Sequence, residues 1–327
     1  MLKLSEGKKE ALERLSTEEG IIEALAIDQR GSLKKMMAAF GESNVEKEII
    51  NFKIVASEEL TKYASAILLD PEYGLPAAKR RSAGSGLLLA YEKTGYDVST
   101  PGRMPDILED WSVRRLKEEG ADAIKFLLYY NPDDDKRINH LKHVFVERLG
   151  SECLGEDIPF FLELVTYDTE IDSTHPADYA RIKPRKVIES TKEFAKPQYH
   201  ADVLKLEVPV DMNYVEGFSD EEMVYSRKEA LSYFKDQSDA ANQPFIFLSA
   251  GVTMQLFQET IKFAKEAGST FSGVLCGRAT WRDGVKPYIT QGKTAGLDWF
   301  ATQGRNNIET LNEVVEQSAV SWRDRVE

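Results

Sequence analysis

Several protein classes need features that this chain has little of. Its 327 residues hold only two cysteines, Cys153 and Cys276. Two thiols so far apart cannot build a disulfide framework, so a reducing compartment, the cytoplasm, is the expected location. No apolar run approaches the roughly 18 residues a membrane helix requires, and no N-terminal apolar segment resembles an export signal. Positive charge is also short, with 42 basic residues against 55 acidic ones and a formal net charge of −13. Nucleic acid and membrane are therefore not expected partners, because both require a concentrated positive field. The expected partner is a small molecule, and if it is anionic, a few local cations must hold it against the overall charge. Pro/Ser-rich linkers and low-complexity tracts are missing as well, which reads as one domain over residues 1–327.

Histidine is scarce too. His140, His143, His175 and His200 all fall outside the predicted strands, whereas a catalytic metal wants several imidazoles near strand ends, so no metal is expected. His140 and His143 share a helix face and read as a solvated pair.

What the chain does have is a repeat of short apolar runs and longer amphipathic stretches from end to end, the pattern of a parallel sheet wrapped by helices. Strands are predicted at 21–28, 66–70, 87–91, 123–129, 160–165, 203–208, 245–249 and 273–276. Helices are predicted at 46–63, 104–119, 134–149, 185–194, 226–234, 254–267 and 283–303, and a short one before residue 21, carrying Leu12 and Leu15, covers the barrel floor. Eight strands close a (β/α)₈ TIM barrel. A doubly wound open sheet is the alternative, and it lacks a regular inward and outward alternation in every strand.

Strand side chains alternate between faces, so the apolar set of each strand turns to the helices and the other set enters the barrel. In 202–208 the apolar set is Leu204, Leu206 and Val208, which leaves Val203, Lys205 and Glu207 inside. The same rule turns Lys125, Glu163 and Asp28 inward, near the carboxyl ends of their strands where barrel enzymes keep their chemistry. One buried lysine or aspartate reads as readily as a structural ion pair. Two lysines and two carboxylates converging from four strands read instead as a reactive site.

An amine held in a desolvated site beside a second lysine is expected to have a lowered pKa and can attack a carbonyl to form an iminium, an electron sink that needs no metal. Glu163 suits the proton shuttle if burial holds its pKa near working pH, and Asp28 can orient a hydroxyl or Lys125. Spacing alone leaves open which lysine is the nucleophile. The loops after the seventh and eighth strands, with Ser249, Gly251, Gly277 and Arg278, fit a phosphate: glycines admit close backbone approach and the serine and arginine donate, with a helix N-terminus behind. A second anionic end needs another cation, and Arg30, just past the first strand, is the nearest candidate, against its reading as a surface salt bridge; Gln29 beside it is a further substrate- or phosphate-binding candidate.

Read together, the segments Ala26-Ile-Asp-Gln-Arg-Gly31, Leu68-Leu-Asp-Pro-Glu-Tyr-Gly-Leu75, Leu87-Leu-Leu-Ala-Tyr-Glu-Lys-Thr-Gly-Tyr96, Lys125-Phe-Leu-Leu-Tyr-Tyr130, Pro159-Phe-Phe-Leu-Glu163, Asp202-Val-Leu-Lys-Leu-Glu-Val-Pro209, Leu248-Ser-Ala-Gly-Val252 and above all Gly273-Val-Leu-Cys-Gly-Arg-Ala-Thr-Trp281 resemble the class I tagatose 1,6-bisphosphate aldolases of lactose and galactose catabolism in Gram-positive bacteria. The resemblance spans nearly the whole chain. It implies a (β/α)₈ fold, metal-independent Schiff-base chemistry, a nucleophile on Lys205 and an acid/base on Glu163, with dihydroxyacetone phosphate and glyceraldehyde 3-phosphate as products. It implies relaxed C4 stereochemistry, so fructose 1,6-bisphosphate is a further expected substrate. A related ketose phosphate, sulfonated or not, and a sugar-phosphate sensor without turnover are the competing functions. A homo-oligomer, dimer or tetramer, is the expected assembly.

Overall fold

Eight short runs of buried residues pair side by side, each parallel to the next, in the order β1 to β8, and β8 closes back on β1. The strands are β1 Ile22–Ala26, β2 Ala66–Leu69, β3 Gly86–Ala90, β4 Ala123–Tyr130, β5 Phe160–Thr166, β6 Val203–Leu206, β7 Phe245–Leu248 and β8 Gly273–Cys276. The structure is a computed structural model and describes residues 2–93, 101–171, 176–218 and 222–327. His175 lies outside the described residues. No helix among them is long and apolar enough to cross a membrane.

Closure sorts the side chains into two cores. Leu25, Ile124, Phe126, Leu162, Leu164, Leu204 and Leu206 face the outer helices in one large cluster. Ile22, Ala24, Ala26, Ala123, Phe161, Val203 and Ile246 face inward in a second, capped by Leu12, Leu15 and Trp322. Small residues on β1 and bulkier ones on β5 to β7 share that interior, so the lower barrel is filled rather than hollow. Leu12 belongs to helix Glu6–Arg14, whose N-cap Ser5 accepts from the Lys8 amide, and this helix is the floor cover the sequence predicted.

Two helices differ from expectation for visible reasons. The 104–119 prediction shrinks to Val113–Glu118, because the backbone of the preceding stretch pairs back on the end of β3: Leu108 N–H donates to Tyr91 C=O at 3.1 Å and Lys93 N–H to Asp106 C=O at 3.0 Å. The 283–303 prediction breaks at Gly292, whose φ of +92° no helix accommodates, into Val285–Gln291 and Lys293–Trp299. Helices Gly31–Ala39 and Arg305–Glu316 were not anticipated.

Candidate active site

Register puts Glu163 and Lys205 at one level and Lys125 one inward step below them. Leu127 of β4 pairs with Glu163 of β5, and Glu163 with Lys205 of β6. Glu163 therefore stands between two ammonium groups: its Oε1 lies 2.8 Å from Lys205 Nζ and its Oε2 2.8 Å from Lys125 Nζ. Lys125 Nζ also donates to Asp28 Oδ2 at 2.9 Å and to Glu92 Oε1 at 2.6 Å. All five groups are at most 9% exposed. The structure thus brings Asp28, Lys125, Glu163 and Lys205 together as the strand alternation predicted.

Glu92 was missed, although continuing the β3 alternation through Leu88 and Ala90 points to it. A second omission is the fully buried pair of Lys53 and Asp70, with Lys53 close enough to help depress the Asp28 carboxyl.

The charges assort unevenly. Burial pulls the Lys125 pKa down, but Asp28, Glu163 and Glu92 more than offset it and hold the ammonium well above its ordinary value. Lys125 is a fixed cation. Burial pushes Glu163 up, yet Lys125 and Lys205 together outweigh it and keep the carboxyl below the usual range. The expectation that burial would raise Glu163 toward neutral is corrected here, because two ammonium groups flank it. Asp28 is lowered in the same way against its burial, and its Oδ1 is buried with no hydrogen-bond partner. Glu92 is raised, since burial and the nearby Asp28 outweigh Lys125 and Arg30. The Glu163 carboxylate stands between the Lys125 and Lys205 ammonium groups.

The loops after β7 and β8 meet. Ala250 and Gly251 both lie in the left-handed region, with φ of +49° and +79°. A Cβ added to Gly251 would come within 2.9 Å of the Arg278 guanidinium, so that position requires glycine for space as well as for backbone. Arg278 is exposed and forms no ion pair among the described residues. Ser249 is buried and its hydroxyl lies against the Cys276 thiol, which burial pushes up to about 11. Gly277 packs toward Gln29, whose Nε2 would sit 3.2 Å from an added Cβ and whose Oε1 is buried without a partner. Ser249, Gly251, Gly277, Arg278 and Gln29 are therefore gathered at one side of the barrel mouth. Only four residues, Arg278–Trp281, form the helix behind.

Arg30 does not join them. Its guanidinium is buried, pairs with Glu72 and donates from Nη2 to the Glu92 carbonyl at 2.6 Å. Of the donors that would make Arg30 the second anion grip, Nη1 and Nη2 are thus engaged with Glu72 and the Glu92 carbonyl, and only its buried Nε has no partner. His143 is also not a solvated group. It is half-buried among Tyr130, Phe194 and Tyr199, with Nε2 3.0 Å from Tyr130 Oη, whereas His140 is exposed. Among the described residues no set of three or more His, Cys, Asp or Glu is arranged to hold a metal ion.

Comparison with known proteins adds to this geometry. Residues 22–283 match the model of the DeoC/LacD family aldolases. The chain is 64% identical over 327 residues to tagatose 1,6-diphosphate aldolase 2 of Enterococcus faecalis, covering all of this chain and 99% of that protein. It is 54% identical to a protein of the same name from Streptococcus agalactiae, covering 99% of each. Among solved structures it resembles a fructose-bisphosphate aldolase from Plasmodium falciparum, with a TM-score of 0.65 at 14% identity and 97% of each chain covered. An archaeal fructose 1,6-bisphosphate aldolase gives a TM-score of 0.58 at 16% identity over 94% of this chain and 98% of that one. At such identity the structural likeness concerns the fold.

Proposed function

This chain belongs to the DeoC/LacD family of aldolases, carbon–carbon lyases, and from that premise we propose that it cleaves D-tagatose 1,6-bisphosphate to dihydroxyacetone phosphate and D-glyceraldehyde 3-phosphate through a Schiff base on Lys205. The observation that carries the proposal is the Glu163 carboxylate held 2.8 Å from both lysines inside the barrel. Three carboxylates keep Lys125 protonated, which makes it a poor nucleophile and leaves that role to Lys205, which has one.

Glu163 first takes the ammonium proton of Lys205, and the freed amine adds to the C2 carbonyl. Glu163 returns a proton to the carbinolamine oxygen, water leaves and the iminium forms. The C4 hydroxyl then gives its proton to Glu163 as the C3–C4 bond breaks, and the bonding pair moves onto the iminium to give an enamine. After the aldehyde departs, protonation at C3 and hydrolysis release the ketone and the free lysine. Lys125 stays charged throughout and holds Glu163 in its anionic form between transfers. Asp28 Oδ1 is available to a substrate hydroxyl, and Ser249, Gly251, Gly277, Arg278 and Gln29 hold the C1 phosphate.

The lysine supplies the electron sink, so no metal takes part. We further read residues 1–327 as one catalytic domain, acting as a homo-oligomer in the cytoplasm, in the tagatose 6-phosphate branch of lactose and galactose catabolism. Incubation with dihydroxyacetone phosphate and borohydride tests the chemistry. A reduced adduct on the Lys205 peptide is expected, and an unmodified Lys205 beside a modified Lys125, or no adduct at all, overturns it.

A further inference from the structure

The Arg278 side of the mouth accounts for one phosphate, and Arg30, with both terminal nitrogens engaged by Glu72 and the Glu92 carbonyl, offers the other only its buried Nε. On the opposite side stands Arg103. Its guanidinium carbon lies 4.3 Å from the centre of the Tyr167 ring and 5.3 Å from that of Tyr129. Among the described residues it forms no ion pair, and its Nε is buried without a hydrogen-bond partner. Nearby lysines are already engaged: Lys142 with Asp134, and Lys186 with Asp133 and Asp168.

A buried donor with no partner costs stability unless something else completes it. Aromatic faces hold a guanidinium by its plane and leave its N–H edge for a planar or tetrahedral oxyanion. The backbone is also committed to this pose. Gly102 and Arg103 lie consecutively in the left-handed region, at φ of +85° and +42°, and a Cβ on Gly102 would meet Ile138 Cγ2 at 2.6 Å. An arginine held there is strained, and strain of this kind gathers at ligand clamps.

Topology sets the span. Tyr129 is on the inward face of β4, two residues beyond Leu127, the residue level with Glu163 and Lys205, and therefore about 7 Å further toward the mouth. Arg278 follows β8, which in a ring ordered β1 to β8 lies across from β4. Lys205, on β6, is two strands from each. A ligand with an anion at both ends and a carbonyl between them fits that arrangement.

We infer that Arg103, seated on Tyr129 and Tyr167, binds the phosphate of the aldehyde half of the substrate and selects bisphosphates over monophosphates. The inference rests on the aldolase reading above and names the residue that decides its second anionic end.

The test runs the condensation with dihydroxyacetone phosphate as common donor and compares glyceraldehyde 3-phosphate with unphosphorylated glyceraldehyde as acceptor. In Arg103→Met the ratio of kcat/KM for the two acceptors should fall about 100-fold, mostly through KM for the phosphorylated one. Arg103→Lys, which keeps the charge but loses the fork, should lose about tenfold and serves where the first variant fails to fold. Borohydride trapping of dihydroxyacetone phosphate on Lys205 engages no second phosphate, so its failure in the unaltered protein condemns the aldolase chemistry separately. A ratio unchanged in either folded variant, or equal loss with both acceptors, overturns the role of Arg103.

Discussion

The two ends of the barrel bury the same kinds of groups under different terms. At the mouth, five ionisable side chains share protons and charges, and Glu163 is depressed although it is buried. At the floor, Glu23 on β1 is just as buried but forms no ion pair among the described residues; desolvation, with Glu316 and Glu19 nearby, lifts it to about 8. The other buried floor charges are an isolated pair, Lys8 Nζ to Asp202 Oδ2 at 2.7 Å, which ties helix Glu6–Arg14 to the start of β6. The difference teaches that burial alone does not set a carboxyl's chemistry. A network with more than one cation yields groups that can exchange protons, whereas a lone pair yields a tether.

The contrast is sharpest in catalysis. Glu163→Gln should lower kcat about 1,000-fold with a small change in KM and little change in Tm, as steady-state kinetics and calorimetry would register. A variant with near-normal kcat would remove Glu163 from the proton path. Lys125→Met comes next, with kcat reduced about 100-fold. It also strips Glu163 of one of the two ammonium groups that lower it, so the carboxyl must rise and the acid limb of kcat/KM must move to higher pH. An acid limb that stays in position means that Lys125 does not tune Glu163.

How much of this could be read beforehand follows from what each signal depends on. Strand alternation is local, so Lys125, Glu163, Lys205 and Asp28 were visible as inward groups from their neighbours alone, and the closed ring followed from the repeat. Glu92 sits one step past its apolar run; the alternation of Leu88 and Ala90 points to it, but the bridge with Ile107 that extends the strand that far depends on a segment 15 positions away. The fate of Arg30 depended on Glu72, 42 positions away in the chain, and that of Arg103 on two tyrosines from β4 and the end of β5. Such pairings are properties of the assembled barrel. The lowered Glu163 was misjudged for the same reason: its burial could be inferred, but not that both lysines would reach it.

At the floor the expected losses are in stability, not rate. Lys8→Met leaves Asp202 buried without its cation, a defect of about 3 kcal/mol, and Tm should drop by about 4 to 5 °C while kcat holds. A fall in kcat with Tm unchanged would erase the distinction between the two ends.

The smallest effect is the most specific to the floor. Unfolded, the Glu23 carboxyl titrates near 4.5; folded, it titrates near 8. Between these values the folded chain keeps a proton that the unfolded chain has released, so raising the pH through this window favours unfolding. The penalty is absent below the lower value and complete above the upper one. Glu23 lines a cavity of about 570 Å³ with Glu309, Glu313 and Glu316 and one cation, Lys62, which does not pair with it, and its Oε1 has no hydrogen-bond partner, so removing the charge breaks no hydrogen bond to that atom. Glu23→Gln should therefore match the unaltered protein in Tm at about pH 4 and exceed it by about 2 to 4 °C at about pH 8.5, with the active-site pH profile unmoved. Parallel Tm curves across that range would mean that a cation or solvent reaches Glu23 after all, and that the floor carboxyl differs from Glu163 only in position.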